Sequence, residues 1–193
     1  MSQSNQGAQL QSRVPQSIGF LLLDNFTLIS LASAVEPLRM ANQLSGKELY
    51  RWHTLTLDGQ PVCASDGLKI TPDASTANAP ALSAVIVCGG VDIQRSVTRD
   101  HVQWLQGQAR QGRQMGAVCT GSWALAKAGL LDGYDCSVHW EFLAAMQEAF
   151  PRAAITTRLF SIDRNRNTSS GGTAPMDMIC LLYTSDAADE GLG

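Results

Sequence analysis

The sequence is poor in charged residues and has no surplus of basic ones. Charged side chains make up 16% of the 193 residues, and the formal net charge is −3. A nucleic-acid-binding surface must neutralise phosphates, so this balance excludes general nucleic-acid binding by the chain. The hydrophobic fraction of 45% excludes a disordered chain and is typical of one globular domain with a sizeable core.

Long apolar runs and targeting signals are also missing. No apolar run approaches the roughly 20 residues that cross a bilayer, so we expect no membrane association. Residues 1–17 are polar, rich in Ser and Gln, and lack the basic start and apolar stretch of a signal peptide. We therefore predict a disordered arm over residues 1–17 and a cytoplasmic protein.

The cysteines are odd in number and match no zinc-binding spacing. This usage is typical of a reducing compartment, where thiols are mostly buried and apolar. We expect no metal and no cofactor. The five residues are Cys63, Cys88, Cys119, Cys136 and Cys180.

Short apolar runs alternate with helical patterns, which is typical of an α/β fold whose parallel sheet is covered on both faces. Residues 18–23 (IGFLLL) are too continuously apolar for a half-exposed strand and predict a central one. Residues 27–44 repeat apolar side chains every three or four positions and predict a helix. Other strands are predicted at 50–57, 68–71, 84–88, 115–118, 136–138, 155–162 and 167–170, and helices at 98–111, 121–128, 141–150 and from Ala174 onward.

The end of the chain breaks this pattern. Residues 180–190 (CLLYTSDAADE) are acidic and rich in small side chains, and they follow a helix that has only begun. The string resembles an in-frame translation of a transposase sequencing adapter. A helix from Ala174 needs more residues to cover a sheet face, so we predict an artefactual tail over 180–193. The alternative is an ordinary polar tail.

One cysteine lies where a buried strand meets a helix, in the segment 115–122 (MGAVCTGS). A strained strand-to-helix turn lifts its side chain above the sheet, as in nucleophile elbows, and Gly121 permits close packing after the turn. Helix amides directed at Cys119 favour the thiolate. A plain core cysteine explains the same pattern equally well.

Longer segments carry a family resemblance over residues 18–179. AVCTGSWALAKAGLLDG followed by SVHW resembles the cysteine elbow and histidine strand of the PfpI and class I glutamine-amidotransferase-like superfamily. FLLLDNFTLISLASAVEPLRMAN, VIVCGG and TSSGGTAPMD together resemble the sensor domains of AraC-family regulators, near those of glycine betaine, carnitine and arginine catabolism.

The resemblance implies a particular architecture and set of partners. The fold is expected to be a three-layer sandwich with a mostly parallel central sheet, flavodoxin-like. Residues 18–179 would form the sensor domain, and an AraC-type helix-turn-helix domain would follow it in the intact gene. A small-molecule effector and a homodimer are implied, and DNA would be bound only through the missing domain.

The resemblance also implies roles for single residues. Cys119 and His139 fall on the superfamily's catalytic pair, and Gly89 and Gly90 fall where enzyme relatives place oxyanion-binding amides. Ser30 occupies the position of the partner carboxylate, so the old active site is interpreted as a binding pocket without confident catalytic residues. The alternative is a cysteine-dependent hydrolase, amidase or isocyanide-hydratase-like enzyme that uses Cys119 and His139.

Two tryptophans extend this candidate pocket. Trp123 follows the elbow and Trp140 follows His139, and aromatic faces attract quaternary ammonium groups. The alternative for each is an ordinary core residue, and for the glycine pair a plain turn. For the segment 168–173 (TSSGGT) we predict a tight, glycine-dependent strand-to-helix crossover that borders the pocket. The predicted ligand-binding residues are Ser30, Gly89, Gly90, Cys119, Thr120, Trp123, His139 and Trp140.

Overall fold

The computed structural model describes residues 14–184, in which strands and helices alternate. The helices are α1 (Leu28–Ser45), α2 (Ile93–Ser96), α3 (Arg99–Arg110), α4 (Ser122–Lys127), α5 (Leu143–Ala149) and α6 (Ala174–Ile179). The strands are β1 (Gln16–Leu22), β2 (Tyr50–Thr56), β3 (Val62–Cys63), β4 (Lys69–Ile70), β5 (Ala74–Ser75), β6 (Ala84–Cys88), β7 (Gln114–Val118), β8 (Asp135–Ser137), β9 (Ala154–Thr156), β10 (Phe160–Asp163) and β11 (Arg166–Ser169). Single 3₁₀ turns cover Cys119–Gly121 and Trp140–Phe142, and a π-helical turn covers Cys180–Thr184.

Seven strands form the central sheet, in the order β10-β11-β7-β6-β1-β2-β5. Every neighbouring pair is parallel except β10 with β11. β1 lies between β6 and β2, which confirms the central strand that its continuous apolar run predicts. The carboxyl ends of β1, β6, β7 and β11 therefore meet at one edge of the sheet.

The sheet has a separate apolar core on each face, because successive side chains of a strand point in opposite directions. Leu21 of β1 belongs to the core that contains Leu125 of α4, whereas Phe20 faces Leu38 of α1 and Met178 of α6. All five side chains are fully buried, and each contributes on the order of 1.5–3 kcal/mol to stability. Helices on both faces confirm the three-layer α/β sandwich.

The predicted strand at 155–162 is wrong, because the chain divides it between two sheets. β9 ends at Thr156 and pairs with β8 in a separate two-stranded parallel sheet, whereas β10 begins at Phe160 and pairs with β11. The hydroxyls of Ser137, Thr156 and Ser161 lie 2.8–3.3 Å from one another. These mutual hydrogen bonds stabilise the turn between β9 and β10. The periodicity of apolar residues cannot predict them.

The predicted strand at 68–71 also pairs differently from the expectation of a main-sheet edge. β4 forms an antiparallel hairpin with β3 outside the central sheet. Gly67 in the turn has a φ of 91°, a value that glycine adopts without strain. The edge strand beside β2 in the central sheet is β5 instead.

Both predicted domain boundaries shift outward. Gln16 and Ser17 belong to β1 and pair with Tyr50 and Arg51, so they are not part of an arm. At the other end the chain continues as helix beyond Ile179, and Tyr183 is only 5% exposed. Residues 180–184 therefore belong to the folded domain, whereas the predicted segments 1–13 and 185–193 lie outside the described residues.

Candidate functional site

Cys119 occupies a strained turn at the carboxyl edge of the sheet. It follows β7 directly, has a φ of 59°, and is succeeded by a 3₁₀ turn that leads into α4. A residue with a side chain in this left-handed region costs on the order of 1–3 kcal/mol and persists only where the surroundings enforce it. The strained strand-to-helix elbow predicted from the sequence is confirmed.

Glycines allow the loop after β6 to approach this elbow. A Cβ atom on Gly89 would lie 2.7 Å from the carbonyl carbon of Thr120, and one on Gly121 would overlap a carbonyl oxygen of β6. Thr120 Oγ1 also donates a hydrogen bond of 2.7 Å to the carbonyl oxygen of Gly90. The two loops therefore pack backbone against backbone and fix the elbow beside the end of β6.

The two predicted oxyanion-binding amides differ in availability. The Gly89 N–H donates to the carbonyl oxygen of Val118 at 3.3 Å, so this amide already has a partner within the fold, and the ligand-binding role of Gly89 stays a prediction. No hydrogen bond among residues 14–184 uses the N–H of Gly90, which remains free to donate. Thr120 N–H is directed at the thiol of Cys119.

Hydroxyl groups from α1 lie at the Cys119 sulfur. Thr27 Oγ1, at the start of the helix, is 3.4 Å from Sγ. The Ser30 hydroxyl is fully buried and lies close enough to lower the pKa of the thiol. A Cβ on Gly171, whose φ is 120°, would be 3.3 Å from Sγ. The glycine crossover at 168–173 therefore covers the thiol, which is 5% exposed.

Burial raises the pKa of Cys119 above the ordinary value of a thiol. Hydrogen bonds from Thr27 and Thr120 lower this pKa, as does the nearby Ser30 hydroxyl, and the charge of Glu141 raises it, but burial is the largest cause. The protein therefore holds a neutral thiol at neutral pH. The expectation that the helix amides favour a thiolate is wrong, because desolvation of the anion outweighs them.

We predict that iodoacetamide alkylates Cys119 slowly at pH 7, and that the rate rises with pH through a midpoint above about 8.5, the ordinary thiol value. Mass spectrometry of the peptide that contains Cys119 measures this, with the chain unfolded in urea as the control. Because the folded pKa is raised, the thiol's contribution to stability is full below about pH 8.5 and is lost as pH rises. A rate that levels off below pH 8 would contradict the prediction.

His139 contacts the elbow through its backbone. Its N–H donates to the carbonyl oxygen of Cys119 at 3.3 Å. Its Nδ1 lies 3.6 Å from a carboxylate oxygen of Glu141, and its ring centroid lies 5.6 Å from that of Trp140. Trp140 is 70% exposed and the Glu141 side chain 60% exposed, so both face solvent beside the elbow.

Trp123 lies among the aromatic residues of the α5 face. Its ring meets that of Phe150 edge-on at a centroid distance of 4.9 Å and that of Phe142 at 6.3 Å. This packing fits the core alternative. A surface cavity of about 280 Å³ lies beside Phe150, and neither Cys119 nor His139 lines it.

The sequence does not indicate that three further residues belong to the site. Thr27 looks only like the start of a helix, and it reaches the sulfur of a residue 92 positions away. Gly171 covers the thiol through a long-range contact, and Glu141 reads only as the first residue of a helix. The resemblance to regulator sensor domains, which includes the segment TSSGGT, was the one signal that pointed to the crossover.

This chain has a seven-stranded, mostly parallel sheet with a cysteine on a strained elbow at its carboxyl edge. These features place it in a class of α/β sandwich domains. The chain belongs to the DJ-1/PfpI family, whose family model matches residues 16–184. The flavodoxin-like fold and the superfamily expected from the sequence are thereby confirmed.

Several similar proteins are transcription regulators, and an isonitrile hydratase of Pseudomonas putida is 29% identical over 168 residues. The chain is 83% identical over 176 residues to the HTH-type transcriptional regulator GbdR of Pseudomonas aeruginosa, covering 91% of this chain and 48% of that protein. It is 39% identical to the HTH-type transcriptional regulator GlxA of Rhizobium meliloti, covering 89% of this chain and 53% of that one. A crystal structure of an AraC family transcriptional regulator from Pseudomonas putida has a TM-score of 0.81 and 30% identity, with 91% and 97% of the two chains covered.

The chain spans about half the length of the curated regulators that it matches. The resemblance to AraC-type sensor domains is therefore confirmed for this half. The other half of those proteins has no counterpart among residues 14–184.

Proposed function

We propose that this chain is the ligand-sensing half of an AraC-type transcription regulator. A small amino-acid-like or quaternary-amine metabolite binds beside Cys119 and shifts the populations of two arrangements of the regulator. The observation that carries the proposal is a buried, neutral thiol on a strained elbow with Ser30 as its neighbour. Such a thiol suits recognition better than nucleophilic attack.

The enzyme alternative requires a thiolate and a group that moves its proton. Burial raises the pKa of Cys119, and the neighbours that hydrogen-bond to it are hydroxyls and an amide. His139 meets Cys119 through the backbone, while its ring meets Glu141 and Trp140. These contacts favour a site that holds a ligand over one that transforms it.

The exposed groups beside the elbow suit a cationic end of the ligand. Trp140 presents an aromatic face to solvent, and a quaternary ammonium over such a face gains about 0.5–1 kcal/mol at an exposed site. The carboxylate of Glu141 adds a negative charge next to it. The turn at Gly171–Gly172 must move for the ligand to reach the thiol.

The remaining partners follow from the regulators that the chain resembles. DNA is bound by a helix-turn-helix domain outside this chain, the protein acts as a homodimer, and it works in the cytoplasm. Among residues 14–184, none of the helices combines the length and apolar character that a membrane crossing needs. We expect the 193-residue chain alone to give no specific band in a gel shift with regulator operators.

Titration calorimetry with amino acids and quaternary amines tests the ligand. We predict that binding survives Cys119→Ser, which keeps a small polar group, and weakens about two- to fivefold in Trp140→Ala through loss of the cation–π contact. Leu44→Ala, another exposed apolar residue, is the matched control and leaves affinity unchanged. Turnover of a small amide or isonitrile that disappears in Cys119→Ala would establish the enzyme alternative instead.

A further inference from the structure

The first turn of α1 has unusual electrostatics. The helix is 18 residues long, has no acidic residue in its first turn, and begins without a side-chain cap. The hydroxyl of Thr27, the residue before the helix, is directed at Cys119 Sγ instead of at the helix amides. The positive end of a long helix therefore faces the elbow, and within residues 14–184 the N–H groups of Leu28 and Ile29 make no hydrogen bond.

Ser30 gives a second and independent sign of a ligand at this turn. Its Oγ is fully buried and makes no hydrogen bond of normal geometry within residues 14–184. Buried hydroxyls are nearly always paired, so an orphan one indicates a missing partner. The same hydroxyl faces the Cys119 sulfur, as its effect on the thiol pKa shows.

The groups around these donors carry little negative charge of their own. Cys119 and Cys88 both have raised pKa values because they are buried, so both are neutral thiols. Among residues 14–184, Glu141 is the one carboxylate whose charge affects Cys119, and it lies at the solvent side. The Ser30 side chain is uncharged, so an anion at this turn meets hydrogen-bond donors and no like charge.

We propose that the uncapped first turn of α1, with the hydroxyls of Thr27 and Ser30 and the N–H of Thr120, binds the carboxylate group of the effector. This inference rests on the proposed function and deepens it, since it gives the ligand an anionic inner end and a cationic outer end beside Trp140. All the donors are neutral. They suit the single charge of a carboxylate, whereas the second charge of a phosphate would stay uncompensated.

Ser30 is the residue that selects the sign of the inner charge. Aspartate at this position would place an anion against the ligand carboxylate and would also cancel the field of the helix end. Alanine would remove one donor and leave the helix field intact. The two substitutions therefore have different expected sizes, which a merely structural role for Ser30 does not predict.

The test compares two probes with the same quaternary ammonium, glycine betaine with a carboxylate and choline with a hydroxyl. In calorimetry at pH 7, the 193-residue chain is expected to bind glycine betaine at least tenfold more tightly than choline. Ser30→Asp should lower the affinity for glycine betaine at least 100-fold and the affinity for choline less than threefold. Ser30→Ala should weaken glycine betaine about three- to tenfold. Ser45→Asp, at the exposed end of the same helix, should change neither affinity.

Thr27→Val, which removes a hydroxyl at constant shape, provides the test if Ser30→Asp does not fold. It should weaken glycine betaine about three- to tenfold and leave choline unchanged. Equal losses for both probes, or an unchanged preference in the Ser30 variants, would overturn the carboxylate site and leave the sensing function standing. A wild-type chain that binds neither probe nor any other amine or amino acid would overturn both.

Discussion

Gly90→Ala is expected to lower the free energy of unfolding by at least about 3 kcal/mol and to abolish ligand binding. A Cβ atom at this position would overlap the carbonyl oxygen of Asn25 and lie 2.8 Å from the carbonyl carbon of Phe26. Both are backbone atoms, so neither can rotate away. The two segments are also bonded to each other, through Val91 N–H to Asn25 O at 3.0 Å and Thr27 N–H to Gly89 O at 3.0 Å.

The consequence extends from stability to the site, because the displaced segment carries Thr27. Urea unfolding followed by circular dichroism measures the stability of Gly90→Ala. Gly107→Ala in α3 is the matched control, since its Cβ would meet only Arg110 at 3.9 Å. Alanine in a helix interior is expected to stabilise by up to about 1 kcal/mol. A loss below 1 kcal/mol in Gly90→Ala would mean that the loop is not packed as described.

Tyr183→Ala is expected to cost about 3–5 kcal/mol. The side chain is buried between α1 and the start of the sheet, and its ring meets that of Tyr50 edge-on at 5.9 Å. Its hydroxyl donates to Gln114 Oε1 at 3.2 Å, and its carbonyl accepts a hydrogen bond from the Tyr50 hydroxyl. Removal of the ring leaves a cavity and takes the hydroxyl donor away from Gln114, whereas the backbone carbonyl that accepts from Tyr50 is retained.

Tyr183→Phe is the companion variant, because it keeps the ring and removes only the hydroxyl. We expect it to cost about 1 kcal/mol, the usual net value of one hydrogen bond. Thermal unfolding of the 193-residue chain compares the two variants. If Tyr183→Ala unfolded at the same temperature as the wild type, residues 180–184 would be an appended tail, as the composition of the segment suggests.

The sequence predicts the central strands well, because a strand that is buried on both faces is a continuous run of apolar residues. β1, β6 and β7 lie within two residues of their expected positions, and the strain at Cys119 follows from the strand-to-helix junction. The break between β9 and β10 is not predictable in this way. It depends on hydroxyl groups that meet only after the chain has folded.

The candidate site is predictable in its position but not in its electrostatics. The elbow motif and the family resemblance locate Cys119, His139 and Ser30, because each lies in a recognisable segment. The protonation state of the thiol depends on how much water the fold removes from it, and Gly171 does much of this from 52 positions away. Local helix amides are a weaker influence than this long-range burial.

The course of α6 joins two distant parts of the domain. The helix begins just after Gly171, which rests on Cys119, and its π-helical extension ends with Tyr183 held by Tyr50 and Gln114, the first residues of β2 and β7. Eleven helical residues at about 1.5 Å each make a stiff rod roughly 16 Å long. A displacement of the glycine turn would therefore be transmitted along this rod to the opposite edge of the sheet, beside the first residues of β2 and β7.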